Sequence, residues 1–275
     1  MLRKLIKHEL RATGRIMGIM LGLTLLSAVG GNIAVHNLLE TQSVVLSVLG
    51  SLMLTTCVVM LAAVFIVTFV LMIRRFYQNL LRDEGYLMMT LPVSVHEHVL
   101  SKLFVSLIWA AATAITTLLA MGILVFDLEF VDMIVYDLEE LIKQLYFSDI
   151  RLIDYTGHFA LFALETILLM IAADSCFCMQ FYAAMAAGHS FTHHKGLLSA
   201  AAYLIFSIAW VVLQSGVTYV FNIIMPQGIS IGFQSISPIA AAHITLLSVI
   251  AAVMIPTVLW YGITTWFLQK RLNLN

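Results

Sequence analysis

Six stretches of this chain are too long and too apolar to belong to a water-soluble fold. Residues 16–35, 44–73, 103–126, 159–187, 197–221 and 242–267 are mostly apolar throughout, and each reaches the roughly 20 residues that a helix needs to cross a bilayer. Hydrocarbon offers no water to a backbone amide, so a segment of this length must satisfy its own hydrogen bonds as an α-helix. The segments between the runs are too short for a soluble domain. Composition agrees, with 61% hydrophobic and only 11% charged residues, against roughly 25% charged in soluble proteins. The sequence therefore predicts one all-α integral membrane domain, 1–275, with six transmembrane helices.

Lys and Arg collect on the cytoplasmic side of membrane proteins. With the N-terminus inside, that side receives Arg3, Lys4, Lys7, Arg11, Arg15, Arg74, Arg75, Arg82, Lys102, Lys195, Lys270 and Arg271, leaving Lys143 and Arg151 outside. Both termini are then cytoplasmic. A basic stretch followed by an apolar run and by small residues at 27–31 also fits a signal peptide, whose cleavage would leave the other spans oriented the same way.

The connecting segments have characters of their own. Leu2, Leu5, Ile6 and Leu10 recur at helical spacing beside Lys4, Lys7 and Arg11, the pattern of an interfacial helix over 1–15. An external acidic amphipathic helix is expected within 127–156. It carries Asp127, Glu129, Asp132, Asp137, Glu139, Glu140, Asp149 and Asp154, with Val131, Ile134, Val135, Leu138, Leu141, Ile142 and Leu145 at helical spacing. Residues 222–239 are uncharged but broken by Pro226, Gly228, Gly232 and Pro238, which fits a re-entrant external hairpin.

No phosphate-binding loop, dinucleotide fingerprint, GxSxG or HExxH signature occurs, so nucleotide-driven work must come from another chain. The near-neutral charge and its segregation argue against a nucleic-acid partner. Cys57, Cys176 and Cys178 lie inside apolar runs and form no CxxC motif.

The densest cytoplasmic signal is the elbow 74–102. Asp83, Glu84, Gly85, Tyr86, Leu87, Met88, Met89 and Leu91 bring charges, a flexible glycine and adjoining apolar knobs together, as in a helix that docks into a partner's groove. The plainer alternative lays those apolar residues on the lipid surface. Pro92 ends the element, and Ser94 to Glu97 reads as a capping box opening the third span.

The runs Phe76-Tyr77-Gln78-Asn79-Leu80-Leu81, Asp83-Glu84-Gly85-Tyr86-Leu87-Met88 and Thr90-Leu91-Pro92-Val93 resemble the permease subunits of type-2 ABC exporters, notably the small six-span Gram-positive forms. The resemblance implies a bacterial plasma-membrane protein working as a dimer with a second permease copy or paralogue. It further implies that the helix between spans 2 and 3 contacts a separate ATP-binding cassette subunit, which holds ATP and Mg. The chain itself would then be no enzyme and hold no cofactor, and its cargo is not specified.

Other features admit sharper readings. His189, His193 and His194 cluster beside Lys195, but no Cys or carboxylate in that link completes a metal shell, so no metal is expected. Glu165 and Asp174 are costly inside span 4; nine residues apart, they fall on nearly opposite helix faces, and Asp174 is the better pathway candidate. Ser43, Ser47, Ser51 and Thr55 in span 2, and Ser199, Tyr203, Ser207, Trp210, Gln214 and Thr218 in span 5, form polar stripes that either line a route or pack helices. Asp174, Ser47, Ser51, Ser207 and Gln214 are the possible pathway residues. The rival functions are an ion- or proton-coupled secondary transporter using Asp174 and Glu165, a membrane sensor without transport, and an intramembrane metalloenzyme using the histidines.

Overall fold

The computed structural model describes residues 2–39, 41–81, 93–127, 152–191, 194–224 and 238–270, with residues 132, 133, 135–137, 139, 140 and 143 in addition. Regular structure among the described residues is helical, without strands. The long helices are α1 (Leu2–Ile33), α2 (Val44–Phe76), α3 (Val95–Val125), α4 (Leu152–Gly188), α5 (Lys195–Ile224) and α6 (Pro238–Lys270). Each contains a segment long and apolar enough to cross a membrane, so the six apolar runs are six helices.

Tertiary contacts lengthen the helices beyond their apolar runs. No break separates residues 2–15 from span 1: Glu9, Thr13, Met17, Thr24, Ala28 and Gly31 form one buried stripe along α1. After α2 a π-helical turn, Tyr77–Leu81, carries the chain eight residues past position 73, about 12 Å at 1.5 Å per residue. At the start of α3 the Glu97 amide donates to Ser94 Oγ at 3.3 Å and to the Ser94 carbonyl at 3.0 Å. Ser94 thus supplies the predicted N-cap.

The chain packs as two compact units. One draws on Arg3–Met72 and Phe104–Asp154. Its core joins Ala28, Cys57 and Ala120, flanked by Leu25, Leu61, Ile123 and Leu124. Small side chains let helix backbones approach, which drives packing where lipid removes the hydrophobic advantage. Gly31 marks the tightest approach here, since a Cβ at that position would stand 2.7 Å from Leu124 Cδ1. Polar ties add register: Trp109 Nε1 donates to Thr13 Oγ1 at 2.8 Å, and the hydroxyls of Thr68 and Thr113 are 2.8 Å apart. Asn32 Nδ2 donates to the carbonyl of Phe126 at 2.7 Å, satisfying an acceptor beyond the C-terminus of α3.

The other unit draws on Ile73–Leu103 and Tyr155–Asn275, and so contains α4, α5 and α6 with the ends of α2 and α3 that flank 82–92. Its densest packing surrounds the end of α4, where every residue from 182 to 189 is buried. Four alanines and Gly188 in that stretch keep the helix thin enough for neighbours on all sides. The described residues between 132 and 143 are helical and exposed, with Lys143 Nζ 3.8 Å from Glu139. Of the apolar face expected in 127–156, Val135 is described and is exposed; its other positions and most of the 222–239 hairpin lie outside the described residues.

Candidate functional site

The docking segment, Asp83, Glu84, Gly85, Tyr86, Leu87, Met88, Met89 and Leu91, lies outside the described residues. Its two flanks are described, and both are held by side chains. On the incoming flank Phe76 is fully buried and stacks on Tyr182 of α4, with ring centroids 4.1 Å apart and planes 7° from parallel. Tyr77 meets the His189 ring edge-on at 5.2 Å. The π turn then buries Asn79, Leu80 and Leu81 in succession.

On the outgoing flank His96 Nδ1 lies 2.7 Å from the Tyr261 hydroxyl, and Gln269 Nε2 is 3.5 Å from His96 Nε2, both partners belonging to α6. His98, Val99, Ser101 and Lys102 are buried on the first turns of α3. Lys102 is therefore a packed side chain and not a loop charge of the kind counted for orientation. Without it the basic split is eleven to two, from the twelve and two residues named above. The residues flanking 82–92 thus contact α4 through Phe76 and Tyr77 and α6 through His96.

The sequence cluster of histidines is dispersed where it is described. His189 is buried: its Nδ1 contacts the Met185 carbonyl at 2.9 Å and Ser199 Oγ at 3.4 Å. Burial pushes its pKa below the usual histidine value and the Lys195 charge adds to this, against the Met185 hydrogen bond. His194 is exposed, with a positive φ of 52°, and His193 lies outside the described residues. No group of three His, Cys, Asp or Glu side chains suited to a metal occurs among the described residues.

Of the span-4 acids, Asp174 is half-buried, with Oδ2 enclosed and without a hydrogen-bond partner among the described residues. Glu165 is buried more deeply and is paired: both carboxylate oxygens lie 2.9 Å from His243 Nδ1 on α6. His243 Nε2 is in turn 3.1 Å from His158 Nδ1 on α4. Phe162 stacks on the His243 ring at 4.0 Å. The sequence alone marks Glu165 as a costly acid inside span 4 and singles out neither histidine. The available signal was that ionisable residues within spans rarely stand alone, and that His158 and Glu165, seven apart, share a helix face.

The polar stripes divide. Ser47 is half-buried; Ser51 is exposed, and its hydroxyl donates to its own helix at the Val48 carbonyl, as Thr55 does at Ser51. Gln214 is exposed. Ser207 instead joins two helices, accepting from Gln180 Nε2 at 2.7 Å while donating to the Tyr203 carbonyl. Comparison with known proteins finds no matching family, no matching curated protein and no matching solved structure.

Proposed function

We propose that this chain is the membrane-spanning permease subunit of an ATP-driven ABC exporter, moving its cargo with energy from a separate ATP-binding subunit. The observation that carries this reading is the anchoring of both flanks of 82–92. Phe76 and Tyr77 tie one flank to α4, and His96 ties the other to α6. A solvated loop needs neither anchor, whereas a segment that transmits force needs both. The motif resemblance within the same segment supplies the identity of the partner.

In this reading ATP and Mg sit on the partner, and ATP binding draws two such subunits together. The 74–102 elbows move with them. ATP's unequal affinity for the two arrangements then shifts the permease, paired with a second copy or a paralogue, between accessible states. The chain lies in a bacterial plasma membrane with both termini cytoplasmic, residues 1–15 at the inner interface, and the acidic helix and 222–239 hairpin outside.

The test is substitution within the segment. Tyr86→Ala and Met89→Ala remove large side chains of the kind that dominate groove interfaces. Glu84→Lys reverses a charge, and Gly85→Val restricts the backbone. Each variant should insert normally yet lose association with the ATPase or hydrolyse ATP without export. Wild-type association and cargo-stimulated hydrolysis in all four would defeat the proposal.

A further inference from the structure

Three ionisable side chains meet within α4 and α6, and the exporter reading uses none of them. Glu165 is 8% exposed and lies six residues into the apolar run that begins at residue 159, so it sits about 9 Å along the span. His243 receives it on one ring nitrogen and faces His158 on the other, at 2.9 Å and 3.1 Å. Phe162 covers one face of the His243 ring.

Of the other titratable groups of these helices, Asp154 and Tyr155 precede His158 on α4 with side chains outside the described residues, Asp154 one turn before it, and Asp174, Cys176, Cys178 and Tyr182 follow Glu165 by nine or more residues. Helix α5 has Lys195 at its first residue, Tyr203, and an exposed Tyr219; α6 has Tyr261 and Lys270, far beyond His243. Among the described residues the acid's hydrogen-bond partner is His243, and the hydrogen-bond and ring partners of His243 are the acid, His158 and Phe162.

Charge and hydrogen-bond arithmetic follow. With Glu165 ionised and both rings neutral, the trio holds a net charge of minus one inside a membrane span, an arrangement that favours neutralisation. In that state His243 Nδ1–H donates to the carboxylate and His158 Nδ1–H donates to His243 Nε2. One added proton enters at His158 Nε2 while the proton on His158 Nδ1 crosses to His243 Nε2. The result is a neutral His158 and an imidazolium at His243 against the carboxylate, with net charge zero and no heavy atom moved. A second proton is opposed, because two adjacent imidazolium rings repel and only one hydrogen fits between their facing nitrogens.

From this geometry we propose that His158, Glu165 and His243 form a binding site for one proton, filled through His158 from the N-terminal end of α4. That end is external in the orientation proposed above. The site requires neither ATPase nor cargo, so it stands or falls apart from the exporter reading.

The test is histidine nitrogen NMR on the full chain in lipid nanodiscs, titrated from neutral to acid pH, with the two signals assigned by His158→Gln and His243→Gln. His158 and His243 should take up one proton between them in a single coupled step. Glu165→Gln should weaken that uptake about tenfold, since it removes the adjacent negative charge, and leave the signal of exposed His8 unchanged. Glu165→Asp keeps the charge and should keep the coupled step, which guards against a variant that merely misfolds. Independent titration of the two rings in the wild type, or an unaltered step in a folded Glu165→Gln variant, would overturn the proposal. So would a stoichiometric transition metal in the purified chain that His158→Gln abolishes.

Discussion

Replacing Phe76 by Ala tests the anchor on which the functional reading rests. Phe76 is 0% exposed and its stacking partner Tyr182 is 1% exposed, so neither lipid nor water reaches the ring. Truncating a buried Phe in a packed core costs about 3–5 kcal/mol, of which the stack itself accounts for about 0.5–1.5 kcal/mol. Lipid tails solvate the exposed apolar surface of an unpacked helix, which weakens the hydrophobic share inside a bilayer. The lower end, about 3 kcal/mol, is therefore expected, roughly a hundredfold in the packing equilibrium at 1.4 kcal/mol per factor of ten. Phe76→Leu keeps most of the volume and should cost less than about 1.5 kcal/mol. Reversible denaturation of the purified full chain in mild detergent reads both values. Export should fall further in the Ala variant than in the Leu variant while ATP hydrolysis persists. An Ala variant within about 0.5 kcal/mol of wild type, the range of an unimportant surface change, would refute the argument.

Three further outcomes are expected. Gly188→Ala would place a Cβ against Ser199 Oγ and its backbone N and Cα, which cannot rotate aside; it should destabilise by about 1–3 kcal/mol, whereas Gly196→Ala, with nothing within 4 Å, should change little in the same denaturation assay. Burial and Lys195 push the His189 pKa down, so the unfolded chain binds the proton more readily than the folded one, and stability rises with pH. His189's contribution is complete above the ordinary value of about 6.5 and is lost as pH falls through it toward the lowered folded value; denaturation at several pH values should show His189→Gln with a flatter dependence across that window. Reporters fused after Asn275 and within 188–196 should be cytoplasmic and one within 127–154 external; a cytoplasmic signal from the acidic segment would overturn the orientation.

Much of the fold was written locally. Hydrocarbon permits a lone span little but a helix, so six apolar runs determined six helices, and Ser94 with Glu97 marked the start of α3 because capping involves residues three apart. Basic residues supported an orientation because their distribution along the chain can be counted without knowing any contact. The candidate coupling segment was likewise visible as a charged, Met-rich and aromatic cluster between two spans.

Contacts between distant residues required tertiary structure. Hydropathy ended span 2 near Arg74 and Arg75, yet the helix runs on because α4 offers Tyr182 and His189 to Phe76 and Tyr77, partners more than a hundred positions away. His189, read beside His193 and His194 as one cluster, is buried against Ser199 while His194 faces outward. Glu165 is a lone acid in span 4 by sequence, and folding brings His243, 78 residues distant, onto it. Helical spacing records which face of one helix a residue occupies, but carries no term for the helix that will cover that face. The number and kind of elements are therefore sequence properties here, whereas the contacts of residues 76, 77 and 96 and the acid–histidine contact exist only once the helices pack.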